Sequence, residues 1–236
     1  MKFNRKINPN NKTEHNFITK KRLKEDEIDF NKLRSYRLDR VKKELEKNNL
    51  EACILFDPVN IRYALDTVNM SVHNMHNLTR YCFVPIKGPV ILYEYFNCEK
   101  LSEHLNLIDE IRPAISWDYF GNGSQVDAKL KEWINEISDL SNSYFKSKKI
   151  AIDVLNGPAV LALDKIGIKV VDAKSILEKA RVIKSPEELK CMKAALEVAE
   201  IGVSKMRNQL KAGMTEDELW SILHKTNIEN GGEWIE

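Results

Sequence analysis

The stretch 66–81 reads Asp-Thr-Val-Asn-Met-Ser-Val-His-Asn-Met-His-Asn-Leu-Thr-Arg-Tyr and gathers the side chains best suited to recognition. His73 and His76 are three residues apart, a spacing that invites metal ligation. No third and fourth ligand with suitable spacing accompanies them, and the stretch has no clustered carboxylates. A polar segment carrying His73, His76, Asn77 and Arg80 on a rigid scaffold is better suited to binding anions, polar groups or another subunit. Other candidates are weaker. Phe120-Gly121-Asn122-Gly123-Ser124 has a lone Gly-x-Gly without the third glycine of a dinucleotide site, and reads as a turn into a helix at Val126. Asp153 closes a strand, where a carboxylate ordinarily caps a helix. Trp220 fits a core position, and Trp234, beside Glu233 and Glu236, is placed to edge a pocket. Neither a Gly-x-Ser-x-Gly elbow nor a His-Glu-x-x-His metal motif occurs.

These residues must be positioned by the elements around them. Leu33, Tyr36, Leu38, Val41 and Leu45 recur at helical spacing over 31–47. Ala52–Phe56 reads as a buried strand, followed by a short helix through Ile61 and Tyr63. Tyr81–Val84 and Val90–Tyr93 flank Lys87-Gly88-Pro89 as a hairpin. Further strands are expected at 111–115, 150–153 and 169–171, with helices near 99–107, 125–138 and 158–166. Strands separated by helices of this length predict an α/β domain with a mixed sheet over 31–172. A linker is expected at 173–185, and residues 1–30 are expected to form a disordered leader.

From Ser185 the pattern changes. Ser185-Pro186-Glu187-Glu188 is a capping box with proline at the first helical position. Leu189, Met192, Leu196, Ala199, Val203, Met206 and Leu210 then follow at helical spacing. Gly213 ends that helix, and Thr215 with Glu218 caps a second. Two helices and a Gly-Gly turn bury too little to stand alone, so 186–236 is expected to open a second domain that continues beyond Glu236.

Composition narrows the function classes. A net charge of +2 and 43% hydrophobic residues suit a globular core. No apolar run approaches the length of a membrane span. The first 24 residues hold eight Lys or Arg and one Glu, yet without interleaved aromatics they read as a solvated leader, so no nucleic-acid or membrane partner is expected. Four scattered cysteines and no apolar leader point to reduced thiols in the cytoplasm.

The junction Glu178-Lys-Ala-Arg-Val-Ile-Lys-Ser-Pro-Glu-Glu-Leu, with Lys211-Ala-Gly-Met-Thr-Glu-Asp-Glu-Leu, resembles the creatinase/prolidase-type pita-bread metallopeptidase superfamily. That resemblance implies a ribonuclease-H-like, creatinase N-terminal-like domain followed by the first two helices of a truncated pita-bread domain. Arg62-Tyr63, Asn69-Met70, His76-Asn77, Arg80-Tyr81, Gly88-Pro89-Val90 and the terminal Gly231-Gly232-Glu233-Trp234-Ile235-Glu236 look most like the dimethylsulfoniopropionate lyase branch and its Xaa-Pro-peptidase-like relatives. In that branch a Trp commonly stands where His73 stands here. The resemblance implies two divalent metal ions in the full-length protein, held by two Asp, one His and two Glu beyond Glu236 and none by this fragment. It implies a small-molecule substrate and a homodimer, with 69–81 reaching toward the partner's site. Arg80→Ala is then expected to alter mass or kinetics. The alternatives are an Xaa-Pro dipeptidase or creatinase-like hydrolase, and a non-catalytic dimerisation or binding module.

Overall fold

The computed structural model describes residues 27–233, so the leader up to residue 26 and Trp234 lie outside the described residues. The chain divides into two compact units, the first running from Asp29 to Leu189. It begins with α1 (Phe30–Lys47), whose N-cap Asp29 accepts a hydrogen bond from the Lys32 amide. The remaining order is β1 (Ala52–Leu55), α2 (Pro58–Leu65), α3 (Ser71–His76), β2 (Tyr81–Pro85), β3 (Ile91–Glu94), β4 (Glu110–Pro113) and α4 (Tyr119–Asn122). Then come α5 (Val126–Tyr144), β5 (Lys149–Ile152), α6 (Gly157–Lys165), β6 (Lys169–Asp172) and α7 (Lys174–Val182).

The strands form one mixed sheet of order β4-β3-β2-β1-β5-β6. β2 pairs antiparallel with β1 and β3, while β3/β4, β1/β5 and β5/β6 are parallel. Only β2 therefore runs against the other five. The β2–β3 hairpin turns at Gly88, at φ +117°, where a Cβ would lie 2.7 Å from the Tyr144 ring.

Alternation along the strands divides the core in two. Cys53, Leu55, Cys82, Val84, Leu92 and Ala151 face α1, α2 and α7, packing on Val41, Leu45, Ile61, Leu65, Ile176 and Leu177. Ala52, Ile54, Tyr81, Phe83, Ile91, Tyr93 and Ile152 face α5 and α6, packing on Trp133, Ile137, Leu140, Ala159 and Leu163. Helices on both faces explain why the central strands read as continuous apolar runs rather than alternating ones.

The stretch 173–185, expected as a linker, instead holds α7. Ile176, Leu177 and Ala180 fall on one helical face and are buried against the sheet and α1. Polar bonds secure the same packing. Tyr63 donates from its hydroxyl to the Ala180 carbonyl at 3.0 Å, and Arg40 donates to the carbonyls of Ala180 and Lys179, each at 3.2 Å. Tyr36 donates to the Ile183 carbonyl. A cation at the carbonyl end of a helix satisfies acceptors with no intrahelical donor.

The Ser-Pro-Glu-Glu junction belongs to the same unit. Glu188 accepts the Ser185 amide at 2.8 Å and the Arg37 Nε at 2.9 Å, and its own amide donates to Ser185 Oγ. Glu187 accepts the Asp29 amide. Arg37 also lies over the Tyr63 ring, and burial raises that phenol to about 12. The capping box predicted from sequence thus also ties the start of α8 (Pro186–Gln209) to α1.

In the second unit α8 continues and pairs with α9 (Glu216–Glu229), which starts at the Thr215–Glu218 capping box. Gly202 allows the close approach, since a Cβ there would lie 2.5 Å from Leu223 Cδ1. The apolar stripe of α8 is largely open, with Met192, Leu196, Val203 and Leu210 exposed. Trp220, expected in a core, is half exposed with its ring edge-on to His224.

If α7 is core rather than linker, Leu177→Ala should cost about 2–5 kcal/mol in urea unfolding. Glu178→Ala, on the solvent side of the same turn, should change it by under about 0.5 kcal/mol.

Candidate recognition site at the carboxyl end of the sheet

Because β2 alone is reversed, its amino end lies with the carboxyl ends of the other strands. Residues 66–80 cross this rim. The region expected as a loop contains α3, so His73 and His76 lie on a helical turn. Two non-glycine residues bound the approach to that turn in left-handed conformation, Asp66 at φ 57° and Met70 at φ 43°. Asp66 is fixed by Arg34, whose Nε lies 2.7 Å from its carboxylate.

The segment is held by a buried polar network. Arg80 is 1% exposed and Glu94 fully buried, and Arg80 Nε donates to Glu94 Oε2 at 2.8 Å. Arg80 Nη2 donates to Thr67 Oγ1 at 2.7 Å, and Thr67 shares a 2.5 Å hydrogen bond with Ser102. The other Glu94 oxygen accepts from Asn69 Nδ2 and the Tyr95 amide. Asn74 Nδ2 donates to the Asn69 carbonyl, and its Oδ1 accepts from the Tyr95 hydroxyl at 2.6 Å. Tyr95 also shares a hydrogen bond with Thr79. Both carboxylate oxygens are therefore satisfied, the condition under which a buried ion pair is tolerated.

This arrangement separates the sequence-derived candidates. Arg80 is committed to Glu94 and Thr67 and presents no surface for a ligand or partner. Arg80→Ala would strand a buried carboxylate, so the effect expected from sequence is preceded by an effect on folding. His73 packs its ring 6.2 Å from that of Tyr95, and its Nδ1 lies 3.3 Å from the Asn77 amide nitrogen. His76 and Asn77 line a cleft of about 300 Å³ with Met75, Leu78, Trp117, Asp118 and Val154–Asn156. Among the described residues no group of three or more His, Cys, Asp or Glu is placed to hold a metal. The ligands for the two divalent ions that the sequence resemblance implies are expected beyond Glu236, and no step is routed through those ions.

What the segment does present is apolar. Val68, Met70, Val72, Met75 and Phe96 are exposed, Met75 by 58% and Phe96 by 80%. A rigid polar base under exposed methionine and phenylalanine side chains is a geometry suited to docking. Sequence reading missed Glu94, Thr67, Asn69, Asn74 and Tyr95. One signal was available, a glutamate closing the apolar run Val90–Tyr93.

The model of the Creatinase/Prolidase N-terminal domain matches residues 37–183. The chain belongs to this family. It is 33% identical over 214 residues to dimethylsulfoniopropionate lyase DddP of Roseobacter denitrificans, covering 88% of this chain and 48% of that protein. With the same lyase of Roseovarius nubinhibens the identity is 32% over the same length and coverage. The fold is similar to that of the Xaa-Pro dipeptidase from Bacillus anthracis, with a TM-score of 0.59 at 15% identity over 84% of this chain and 49% of that one. The prolidase from Pyrococcus horikoshii OT3 gives 0.58 at 17% identity, again over 84% and 49%. The chain spans about half the length of the curated relatives it matches. The mixed α/β sheet expected from sequence is thus the creatinase-type N-terminal fold. No described helix is long and apolar enough to cross a membrane.

Removing the arginine from the buried pair tests its role. Arg80→Ala should destabilise the chain by about 3–5 kcal/mol in urea unfolding. The double variant Arg80→Leu with Glu94→Leu should recover most of that loss, because no unpaired charge remains.

Proposed function

We propose that this chain is the N-terminal half of a metal-dependent creatinase/prolidase-family enzyme that cleaves dimethylsulfoniopropionate to dimethyl sulfide and acrylate. The supporting observation is the 33% identity to a dimethylsulfoniopropionate lyase over most of the chain, against 15% and 17% for the peptidases of like fold. In this reading α8 and α9 open the pita-bread domain, whose following residues hold two divalent ions. A carboxylate there removes the proton next to the substrate carboxylate, and the carbon–sulfur bond breaks with its electron pair leaving on sulfur. Elimination of this kind needs a dry, closed site more than a nucleophile.

The first unit's part is assembly. In the proposed cytoplasmic homodimer the 68–77 surface docks on the partner, with His73, His76 and Asn77 turned toward its substrate site. Arg80 and Glu94 act from beneath, by fixing the height and tilt of α3.

An Xaa-Pro dipeptidase activity is the second reading, supported by the names of the structural neighbours. The two separate experimentally. The complete reading frame should release dimethyl sulfide into the headspace from dimethylsulfoniopropionate and no proline from Xaa-Pro dipeptides. Proline release without dimethyl sulfide would replace the lyase by the peptidase, and neither product would leave a binding module. The 236-residue chain alone should be inactive on both.

Docking has its own measurement. Val72→Asp with Met75→Asp in the complete protein should convert dimer to monomer in analytical ultracentrifugation, while the same pair in the 236-residue chain should change its unfolding free energy in urea by under about 0.5 kcal/mol, since both side chains are exposed. A dimer that survives the double substitution places the interface elsewhere.

A further inference from the structure

A second cavity opens at the same end of the sheet, between β1 and β5. These neighbours are parallel, yet the helices that follow them lie on opposite faces, α2 on the α1/α7 side and α6 on the α5 side. Chains leaving adjacent strands in opposite directions create a crevice, and in open α/β sheets that crevice is where ligands sit. Here it has a volume of about 320 Å³ and is lined by Asp57, Val59, Asn60, Asp153, Val154, Lys174 and Arg181. That is the lower end of the range for small-molecule pockets.

The two walls differ in charge. Asp153 joins the strands on the acidic side: its Oδ1 accepts the amides of Phe56 and Val154, and its Oδ2 accepts the Asp57 amide and Asn60 Nδ2. Burial nevertheless pushes its carboxyl upward, partly offset by those hydrogen bonds. Asp57 caps α2 with Oδ1 alone, which accepts the amides of Val59 and Asn60. Asn60 is the informative residue. Its Nδ2 must face the Asp153 carboxylate, which leaves Oδ1 turned away, buried and without a donor. An unsatisfied buried acceptor is uncommon in folded proteins.

Lys174 and Arg181 form the opposite wall, seven residues apart on one stripe of α7. Neither side chain makes an ion pair or hydrogen bond with the described residues, although α7 is otherwise fixed to α1 at several points. Val59 and Val154 supply an apolar floor between the walls.

We propose that this crevice binds a small zwitterion bearing a carboxylate and an ammonium group separated by a short carbon chain. The carboxylate is taken by Arg181 and Lys174, where charge-assisted hydrogen bonds are strongest. The ammonium donates to the open Oδ2 of Asp57, next to Asn60 on the acidic wall. This site adjoins the cleft of His76 and Asn77, with which it shares Val154, and it does not depend on the lyase reading.

The test uses the ¹⁵N-labelled 236-residue chain titrated with β-alanine, propionate and ethylamine and followed by amide correlation spectra. β-Alanine should shift amides of both walls (57–60, 153–154 and 174–181) at millimolar concentration, while propionate and ethylamine, each lacking one charge, bind at least about tenfold more weakly. Lys174→Gln with Arg181→Gln removes an exposed and a part-buried cation, both unpaired among the described residues, and should weaken β-alanine binding about tenfold or more. Val59→Trp, filling the floor from an exposed position, should abolish it. The proposal is overturned by the absence of shifts at these walls, by equal response to propionate, or by binding that survives either variant.

Discussion

The ion pair between Arg80 and Glu94 is the constraint on which the rim of this domain depends. A carboxylate taken fully out of water is stable only if both oxygens are satisfied. Satisfying them draws in Arg80 from the start of β2, Asn69 from the crossing segment and the Tyr95 amide from the end of β3. Arg80 in turn fixes Thr67, and Thr67 fixes Ser102. Segments separated in sequence are thereby held to one geometry, with α3 as the exposed consequence. Exposed methionines on a floppy segment would lose affinity to ordering on binding. On this base much of that entropy is already lost during folding.

The sheet was largely legible in the sequence because burial on both faces leaves an unmistakable trace. Ala52–Phe56, Tyr81–Val84 and Val90–Tyr93 are continuous apolar runs bounded by turn residues, and each became a central strand. The helix starts at Pro186 and Thr215 were legible for a different reason, since capping boxes are local and need no tertiary context. The segment 173–185 was misread because Ile176, Leu177 and Ala180 make only one short apolar stripe among charges. Its meaning comes from Tyr63 and Arg40, more than 100 residues earlier.

The candidate recognition residues were only half legible. His73, His76 and Asn77 stand out by type, and two of them do line a cleft. Arg80 stands out equally and is buried, because residue type does not reveal whether a charge has a partner. Glu94, 14 residues away and on the next strand, is that partner. Asn60 escaped notice for the same reason. Its importance lies in which amide atom must face Asp153, a property of three-dimensional pairing rather than of composition.

The buried glutamates at the start of α8 have a consequence for how such a domain can be moved between proteins. The family match runs from 37 to 183, yet the physical unit extends to Asp29 on one side and Leu189 on the other. Asp29 with Glu187, and Arg37 with Glu188, fasten the first helix to the first turn of the helix that leaves the domain. A recombination breakpoint at the end of β6, or between Ile183 and Pro186, would sever that fastening and leave Arg37 without its carboxylate. The transferable module therefore carries the opening turn of the helix that leaves it.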